Sequence, residues 1–517
     1  MSTNKTLRGI AGAGLSGVGL LLALAVPFQS HTFRIDAGGC RLVTDIVEPP
    51  GQQEGTTPKG YVVLLHGLSA NKRIMSYITA GFASQGLRVF VPDLPGHGRT
   101  DGPFSYERSD KCSENLVREL IARGLLDPER TILAGHSLGG AIALRVASRI
   151  PVAGVVAFSP APMRPMPGVS PEMMPFPDFG PLPAHSLLMS AAREPERIRN
   201  AVKNLLPTPG DGTSEYAVIP RSDHVSILFD GTAVSHAQSW AASVLHLESK
   251  PTLPSHRGVL GFLAGFAGIL LLTGPFLREI FQSKKQASPL AENVSTSTIG
   301  RVFLEYGIVA LGTVGLLSYS NPLRALHLFE ADYFASFLLL LGTVLLVLHW
   351  NSLRTLLRPA AAAAQPARSL HFTILIAAFA AFLLLFLITA WLDLAVSEAW
   401  LTASRWARFL PLFIAVLPYH AAEELLLGPA LPGKTSRRLF TALLLRLVAW
   451  GAIVVGIFIL HSGEVLLVLL APSFALFCLL QAWGIKVVRE VTASPSAAAL
   501  FGAILLAGFC LVVFPTT

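Results

Sequence analysis

The alternation of apolar and polar positions changes character at about residue 256. Ahead of that point lies one long apolar run, Ile10 to Phe28, and then about two hundred residues of mixed character. In those, short β-branched stretches alternate with amphipathic ones, which predicts a mostly parallel sheet covered by helices. The predicted strands are 41–47, 61–65, 88–92, 131–135, 153–158, 186–191 and 215–219, with helices near 71–85, 110–124, 138–149, 195–206 and 233–247. Beyond residue 256 come about eight further apolar runs: 258–277, 302–320, 333–350, 372–392, 409–427, 440–460, 465–483 and 498–514. Each approaches the ~20 residues a helix needs to cross ~30 Å of hydrocarbon. The expected organisation is an N-terminal signal-anchor or signal peptide at 1–30, an α/β domain at 31–250 and an all-α transmembrane bundle at 256–517.

Composition sharpens this picture. Hydrophobic residues make up 52% of the 517 and charged residues 14%, so lipid is the expected solvent for much of the chain. The net charge of +8 forms no single basic patch, and no nucleic-acid partner is expected. If every apolar run crosses and the N-terminus is cytoplasmic, one side collects Lys5, Arg8, Arg278, Lys284, Lys285, Arg301, Arg354, Arg358, Arg368, Lys434, Arg437, Arg438, Lys486 and Arg489. The short loops opposite hold Arg324, Arg405 and Arg408. The positive-inside bias then places the α/β domain outside the cytoplasm, as part of a multi-pass protein of the cell membrane. Ala23-Leu24-Ala25 has the small-x-small form of a signal-peptidase site, and an uncleaved anchor exports the domain equally well. Four cysteines are too few for a disulfide scaffold and lack metal-ligand spacing, which leaves a Cys40–Cys112 bridge as one option for an exported domain.

The chemistry concentrates in Gly135-His136-Ser137-Leu138-Gly139, placed where strand Thr131–Ala134 hands over to helix Leu138–Arg149. Small residues around a serine at such a junction permit the strained turn of a nucleophile elbow. With matching elements on both sides, these residues resemble the α/β-hydrolase superfamily, and within it the monoacylglycerol lipase and serine aminopeptidase-like branch. Leu64-Leu65-His66-Gly67-Leu68 is similar to that family's oxyanion segment, and Pro92-Asp93-Leu94-Pro95-Gly96-His97-Gly98-Arg99-Thr100 to its D-x-x-G-H-G-x-S loop, with Thr100 for the usual serine. The resemblance implies Ser137 as nucleophile, backbone N–H groups of Leu68 and Leu138 as oxyanion hole, and no metal or cofactor. His224, just after the last predicted strand, stands where the family places its base; His185, His236 and His246 read as surface or packing histidines. Glu194 follows strand Ser186–Ala191 at the family's acid position, with Glu196 and Asp178 as alternatives. Asp93 reads as a structural residue of its loop.

Between strands 153–158 and 186–191 a short cap carries Met166, Met173, Met174, Phe176 and Phe179, either packed on the core or forming an apolar lid for acyl chains. In the second half, Pro418-Tyr419-His420-Ala421-Ala422-Glu423-Glu424 puts a histidine and two glutamates at the end of an apolar run, a costly placement. The segment resembles the first motif, E-E-x-x-x-R, of CAAX-processing intramembrane proteases, but Gly428 occupies the arginine position and the later F-x-x-x-H is only approximated near Phe458 and His461. It reads as a degenerate relative serving as scaffold, or as a plain interfacial carboxylate pair.

The expected activity is hydrolysis of carboxylic esters, on lipids or lipid-like molecules. Acyl transfer, thioester cleavage and peptide cleavage use the same three residues. A transporter or receptor-like protein with a non-catalytic hydrolase domain is the competing class, against which the presence of both nucleophile and base counts. Oligomeric state is open.

Overall fold

The computed structural model describes residues 2–24, 29–51, 57–163, 176, 180–206, 213–248, 250–281, 296–352, 370–430 and 435–517. The chain forms two compact units, one of Leu21–Phe262, Leu392–Thr402 and Pro515–Thr517, the other of Met1–Leu20, Leu263–Trp391 and Ala403–Phe514.

The first unit is built on an eight-stranded sheet: β1 (Ser30–Ala37), β2 (Cys40–Val47), β3 (Gly60–Leu65), β4 (Leu87–Pro92), β5 (Thr131–His136), β6 (Gly154–Phe158), β7 (Ser186–Ala191) and β8 (Glu215–Ile219), in the order β1-β2-β4-β3-β5-β6-β7-β8. From β4 to β8 every pairing is parallel; β2 runs antiparallel to β4 and to β1. Strands β3, β5, β6 and β7 are buried at every position, which explains why they read as continuous apolar runs. The sequence reading placed the seven inner and C-terminal strands and did not include β1. That strand, SHTFRIDA, is an exposed edge at six of its eight positions. Gly38 and Gly39 join it to β2 at φ 57° and 81°, the left-handed conformations a two-residue hairpin requires.

Besides α1 (Ser2–Leu24), the helices are α2 (Ser76–Ser84), α3 (Tyr106–Ala122), α4 (Leu138–Ala147), α5 (Glu196–Lys203), α6 (Gly231–Val244) and α7 (Arg257–Ile280). Ile78 and Phe82 of α2 and Val234 and Ala237 of α6 share one core with Val62, Val89, Ile132, Val156 and Leu187 of the sheet. On α3, Asp110 holds Arg145 of α4 and Arg149, just past the end of α4, at 3.1 and 2.7 Å. Cys112 of α3 is disulfide-bonded to Cys40 of β2, so the optional bridge is present.

The second unit is helical. Among the described residues nine helices are long and apolar enough to cross a membrane, including one near the N-terminus. The other eight are Arg257–Ile280, Thr296–Leu317, Ala331–Leu348, Leu370–Ala395, Phe409–Ala430, Thr435–Ile459, Val465–Thr492 and Pro495–Val513. They coincide with the eight apolar runs of the sequence. These lengths and compositions are compatible with a multi-pass membrane protein. At Gly342 an added Cβ would lie 2.3 Å from the backbone nitrogen of Tyr419, so the helices Ala331–Leu348 and Phe409–Ala430 meet backbone to backbone there.

Candidate active site

The junction of β5 and α4 is a sharp turn with Ser137 at φ 53°, ψ −117°, a region that L residues seldom enter. Its neighbours have no room for a side chain. A Cβ on Gly135 would lie 2.3 Å from the Gly139 carbonyl carbon, and one on Gly139 would lie 2.3 Å from the Leu65 oxygen. The turn is held by the Ser137 N–H, which donates to the Phe158 carbonyl at 3.0 Å, and by the Ser137 carbonyl, which accepts from Ala161 at 2.9 Å. Strand β6 and the loop that follows it thus fix the strained residue at both its N–H and its carbonyl.

His224 lies on the loop after β8. Asp223 accepts the N–H groups of Val225 and Ser226 at 3.0 and 2.9 Å, which fixes the turn that carries the imidazole. Its Nε2 is 3.0 Å from Ser137 Oγ, and its Nδ1 is 2.6 Å from Glu194 Oε1. Glu194 is buried in the turn immediately after β7. Its other oxygen, Oε2, accepts the Ala191 N–H at 2.9 Å and the Ser159 hydroxyl at 3.2 Å. The carboxylate therefore has one oxygen anchored by the protein and the other free to orient a histidine. Ser159 had no sequence signal, because only the fold brings the end of β6 to the turn after β7.

The structure therefore brings Ser137, His224 and Glu194 into one hydrogen-bonded line. Of the alternatives, Glu196 is exposed in the first turn of α5, and Asp178 lies outside the described residues. His236 is at the surface, 2.7 Å from Glu215, and neither His185 nor His246 enters the site.

On the other side of Ser137 lies the Gly67–Lys72 turn. A Cβ on Gly67 would sit 2.9 Å from His136 Nδ1 and 3.2 Å from Ser137 Cβ, so only glycine lets this backbone approach the elbow. Leu68 follows it, and Leu138 opens α4, where the first N–H groups have no intrahelical acceptor. Two histidines brace these parts as neutral rings. His66 accepts the Leu94 N–H at 2.9 Å through Nε2 and donates from Nδ1 to the Gly67 carbonyl at 2.8 Å. His136 donates from Nε2 to the His224 carbonyl at 2.7 Å. Burial pushes their pKa values down to about 4 and about 3. In the loop after β4, Thr100 Oγ1 accepts the Val43 N–H at 2.9 Å, performing by hydroxyl the tie that a serine there would also make.

Of the cap, Met166, Met173, Met174 and Phe179 lie outside the described residues. Phe176 is buried, with the Arg145 guanidinium 4.7 Å above its ring. Among the described residues no three His, Cys, Asp or Glu side chains converge as metal ligands.

The glutamates of the helical unit are differently placed. Both oxygens of Glu423 accept from Arg446, at 3.2 and 3.1 Å, and Arg446 also reaches Gln481 Oε1 at 2.9 Å and the Cys478 carbonyl at 3.2 Å. Arg446 thus faces the interior of this unit. Glu424 pairs with Arg438 at 2.6 Å. His420 Nδ1 lies 3.7 Å from Glu423, beyond a hydrogen bond.

Residues 62–290 match the alpha/beta hydrolase family, and the sheet order, crossovers and elbow described above are those of the α/β-hydrolase fold. Among curated proteins, the chain is 37% identical over 90 residues to an uncharacterized protein of Mycobacterium tuberculosis, covering 17% of this chain and 25% of that one. It is 31% identical over 125 residues to a monoacylglycerol lipase of Mycolicibacterium smegmatis, covering 24% of this chain and 42% of that one. The chain thus spans between a quarter and somewhat under half the length of these relatives. A solved serine hydrolase without lid from Xanthomonas campestris is 16% identical over 44% of this chain and 99% of its own, with a TM-score of 0.34. The family match does not reach His420, Glu423 or Glu424, so the resemblance of that segment to CAAX-processing proteases finds no support.

Proposed function

We propose that the chain is a membrane-anchored serine hydrolase that cleaves carboxylic esters of lipids or lipid-like molecules outside the cytoplasm. The observation that carries the reading is the line Ser137 Oγ–His224 Nε2, His224 Nδ1–Glu194 Oε1, at 3.0 and 2.6 Å, ending on a serine in a strained elbow.

A serine hydroxyl is a poor nucleophile until a base removes its proton. As Ser137 Oγ attacks the acyl carbonyl, His224 Nε2 takes that proton, and Glu194 Oε1 accepts the Nδ1–H and stabilises the imidazolium. The oxyanion that forms is met by the backbone N–H groups of Leu68 and Leu138. Leu138, as the first residue of α4, brings an unpaired N–H and the positive end of the helix dipole. His224 then returns the proton to the leaving alkoxide, and water deacylates the enzyme through the same base. His66 and His136, neutral through the working pH range, do not compete for the proton.

Export is supported by the Cys40–Cys112 bond, since such bonds persist in oxidising compartments, and by the asymmetry of Lys and Arg between alternate loops. A lipid-like substrate is supported by the monoacylglycerol lipase relative and by the apolar helices that continue from this domain. Full-length protein in detergent, given monoacyl esters of graded chain length, is expected to hydrolyse them, faster as the chain lengthens, because each buried CH₂ contributes ~0.8 kcal/mol. Failure to turn over any ester, with no covalent labelling by a fluorophosphonate, would end this reading.

A further inference from the structure

The unit that contains the sheet also contains Leu392–Thr402, a segment far along the chain that follows the helix Leu370–Ala395. It packs on the far end of the Gly67–Lys72 turn, whose near end rests against Ser137. Asn71 donates from Nδ2 to Ser397 Oγ at 2.8 Å and accepts the Glu398 N–H on Oδ1 at 3.2 Å. Arg73 donates to the Asp393 carbonyl at 2.6 Å. Between them the Lys72 ammonium is buried, 3% exposed, where an unpaired charge is very costly. It donates to Asp93 Oδ2 at 2.9 Å and to Glu398 Oε1. Asp93 is already shared: it also accepts the backbone N–H groups of Lys72 at 2.9 Å and Arg99 at 3.0 Å. Arg99 reaches back to Glu398 and Asp393, each at 3.3 Å.

We propose that Glu398 is a positioning residue for the active site: by neutralising Lys72 it holds the Gly67–Lys72 turn, and with it the Leu68 N–H, in register with Ser137. The inference rests on the hydrolase reading for its catalytic consequence and on the contacts above for its geometry. Ser69 sits at φ 57°, its N–H donates to His97 at 3.2 Å, and Ala70 N–H closes on the Gly67 carbonyl at 3.2 Å. Without Glu398 the ammonium keeps a single carboxylate partner, and relief requires Lys72 to move out. Its own N–H, tied to Asp93, moves with it. An oxyanion donor displaced by ~1 Å loses much of its effect on the transition state while substrate binding is little changed. Thus a segment 326 residues away from Lys72 completes the hydrolase site.

The test uses full-length Glu398→Ala and Glu398→Gln proteins, with ester turnover normalised to the sites titrated by a fluorophosphonate burst. Glu398→Ala is expected to lower kcat per titrated site ~10- to 100-fold with KM within about twofold. Glu398→Gln, which keeps an acceptor for Lys72, is expected to recover to within about threefold of wild type. If Glu398 only stabilises the fold, the alanine protein loses thermal stability and titratable sites while kcat per site is unchanged, and the proposal is wrong. Hydrogen exchange over residues 66–75 separates this result from failure of the hydrolase reading itself. Faster exchange in Glu398→Ala supports the clamp even in a protein without esterase activity, and unchanged exchange overturns it.

Discussion

Each unit of this molecule buries a glutamate beside a histidine, and the two pairs differ in what else the carboxylate touches. In the sheet unit, Glu194 has one oxygen fixed by Ala191 and Ser159 and gives the other to His224, which passes to Ser137. In the helical unit, Glu423 gives both oxygens to Arg446 and leaves His420 at 3.7 Å. A guanidinium does not surrender its proton in any working range, so the second arrangement is closed. The first instead ends on a serine hydroxyl, the arrangement proposed above to move a proton. Residue types alone do not separate a reactive cluster from a structural one; the remaining partners of the acid do.

The contrast can be broken most severely at Ser137, the proposed nucleophile. Ser137→Ala should lower kcat by ~10⁴-fold or more, leaving only background from the oxyanion hole and binding, while thermal stability stays close to wild type. Next, Glu194→Gln should reduce kcat by ~10³- to 10⁴-fold, since an amide cannot stabilise the imidazolium, whereas Glu196→Gln on the surface of α5 stays near wild type. Steady-state kinetics on purified protein measure both. Equal losses from the two would show that Glu194 is not the acid.

The helical cluster should respond the other way. Arg446→Met leaves Glu423 buried without a counter-charge and should cost ~3–5 kcal/mol of stability, read from unfolding in detergent. Adding Glu423→Gln should recover much of that loss, and Glu423→Gln alone should leave turnover per titrated site unchanged. A loss of turnover with Glu423→Gln would mean that the helical glutamate belongs to the chemistry. A further prediction concerns pH. His66 and His136 have folded pKa values of about 4 and about 3, below the usual 6.5, so the unfolded state binds more protons between those values. Their contribution is fully present above pH 6.5 and declines as pH falls toward the folded values, by at most ~1.4 kcal/mol per pH unit for each. Melting temperature should fall on acidification, less steeply in His136→Gln.

The inner strands β3, β5, β6 and β7 were legible because each is mostly apolar and buried at every position, and the elbow at Ser137, the proposed nucleophile, was legible because its glycines are forced by backbone contacts at Gly135 and Gly139. Strand β1 was not, because its alternation is short, confined to Phe33, Ile35 and Ala37, and six of its eight positions are exposed. Glu194 and Glu196 flank one proline and look alike in sequence. What separates them is the turn after β7, where the Glu194 N–H closes on the Ala191 carbonyl at 3.1 Å and turns the side chain inward. The pairing of Lys72 with Glu398 had no sequence signal at all, because nothing local requires a lysine at the end of the Gly67–Lys72 turn to find its acid 326 residues later. The Cys40–Cys112 bond likewise depends on α3 packing beside the β1–β2 hairpin, a tertiary fact.

The most direct measurement is the site of covalent capture. Full-length protein treated with a fluorophosphonate, digested and mapped by mass spectrometry should carry the adduct on Ser137 and on no other serine. Labelling should vanish in Ser137→Ala and persist in Glu423→Gln. An adduct on another residue, or an unlabelled wild-type protein that still hydrolyses esters, would contradict the assignment of Ser137 as the nucleophile.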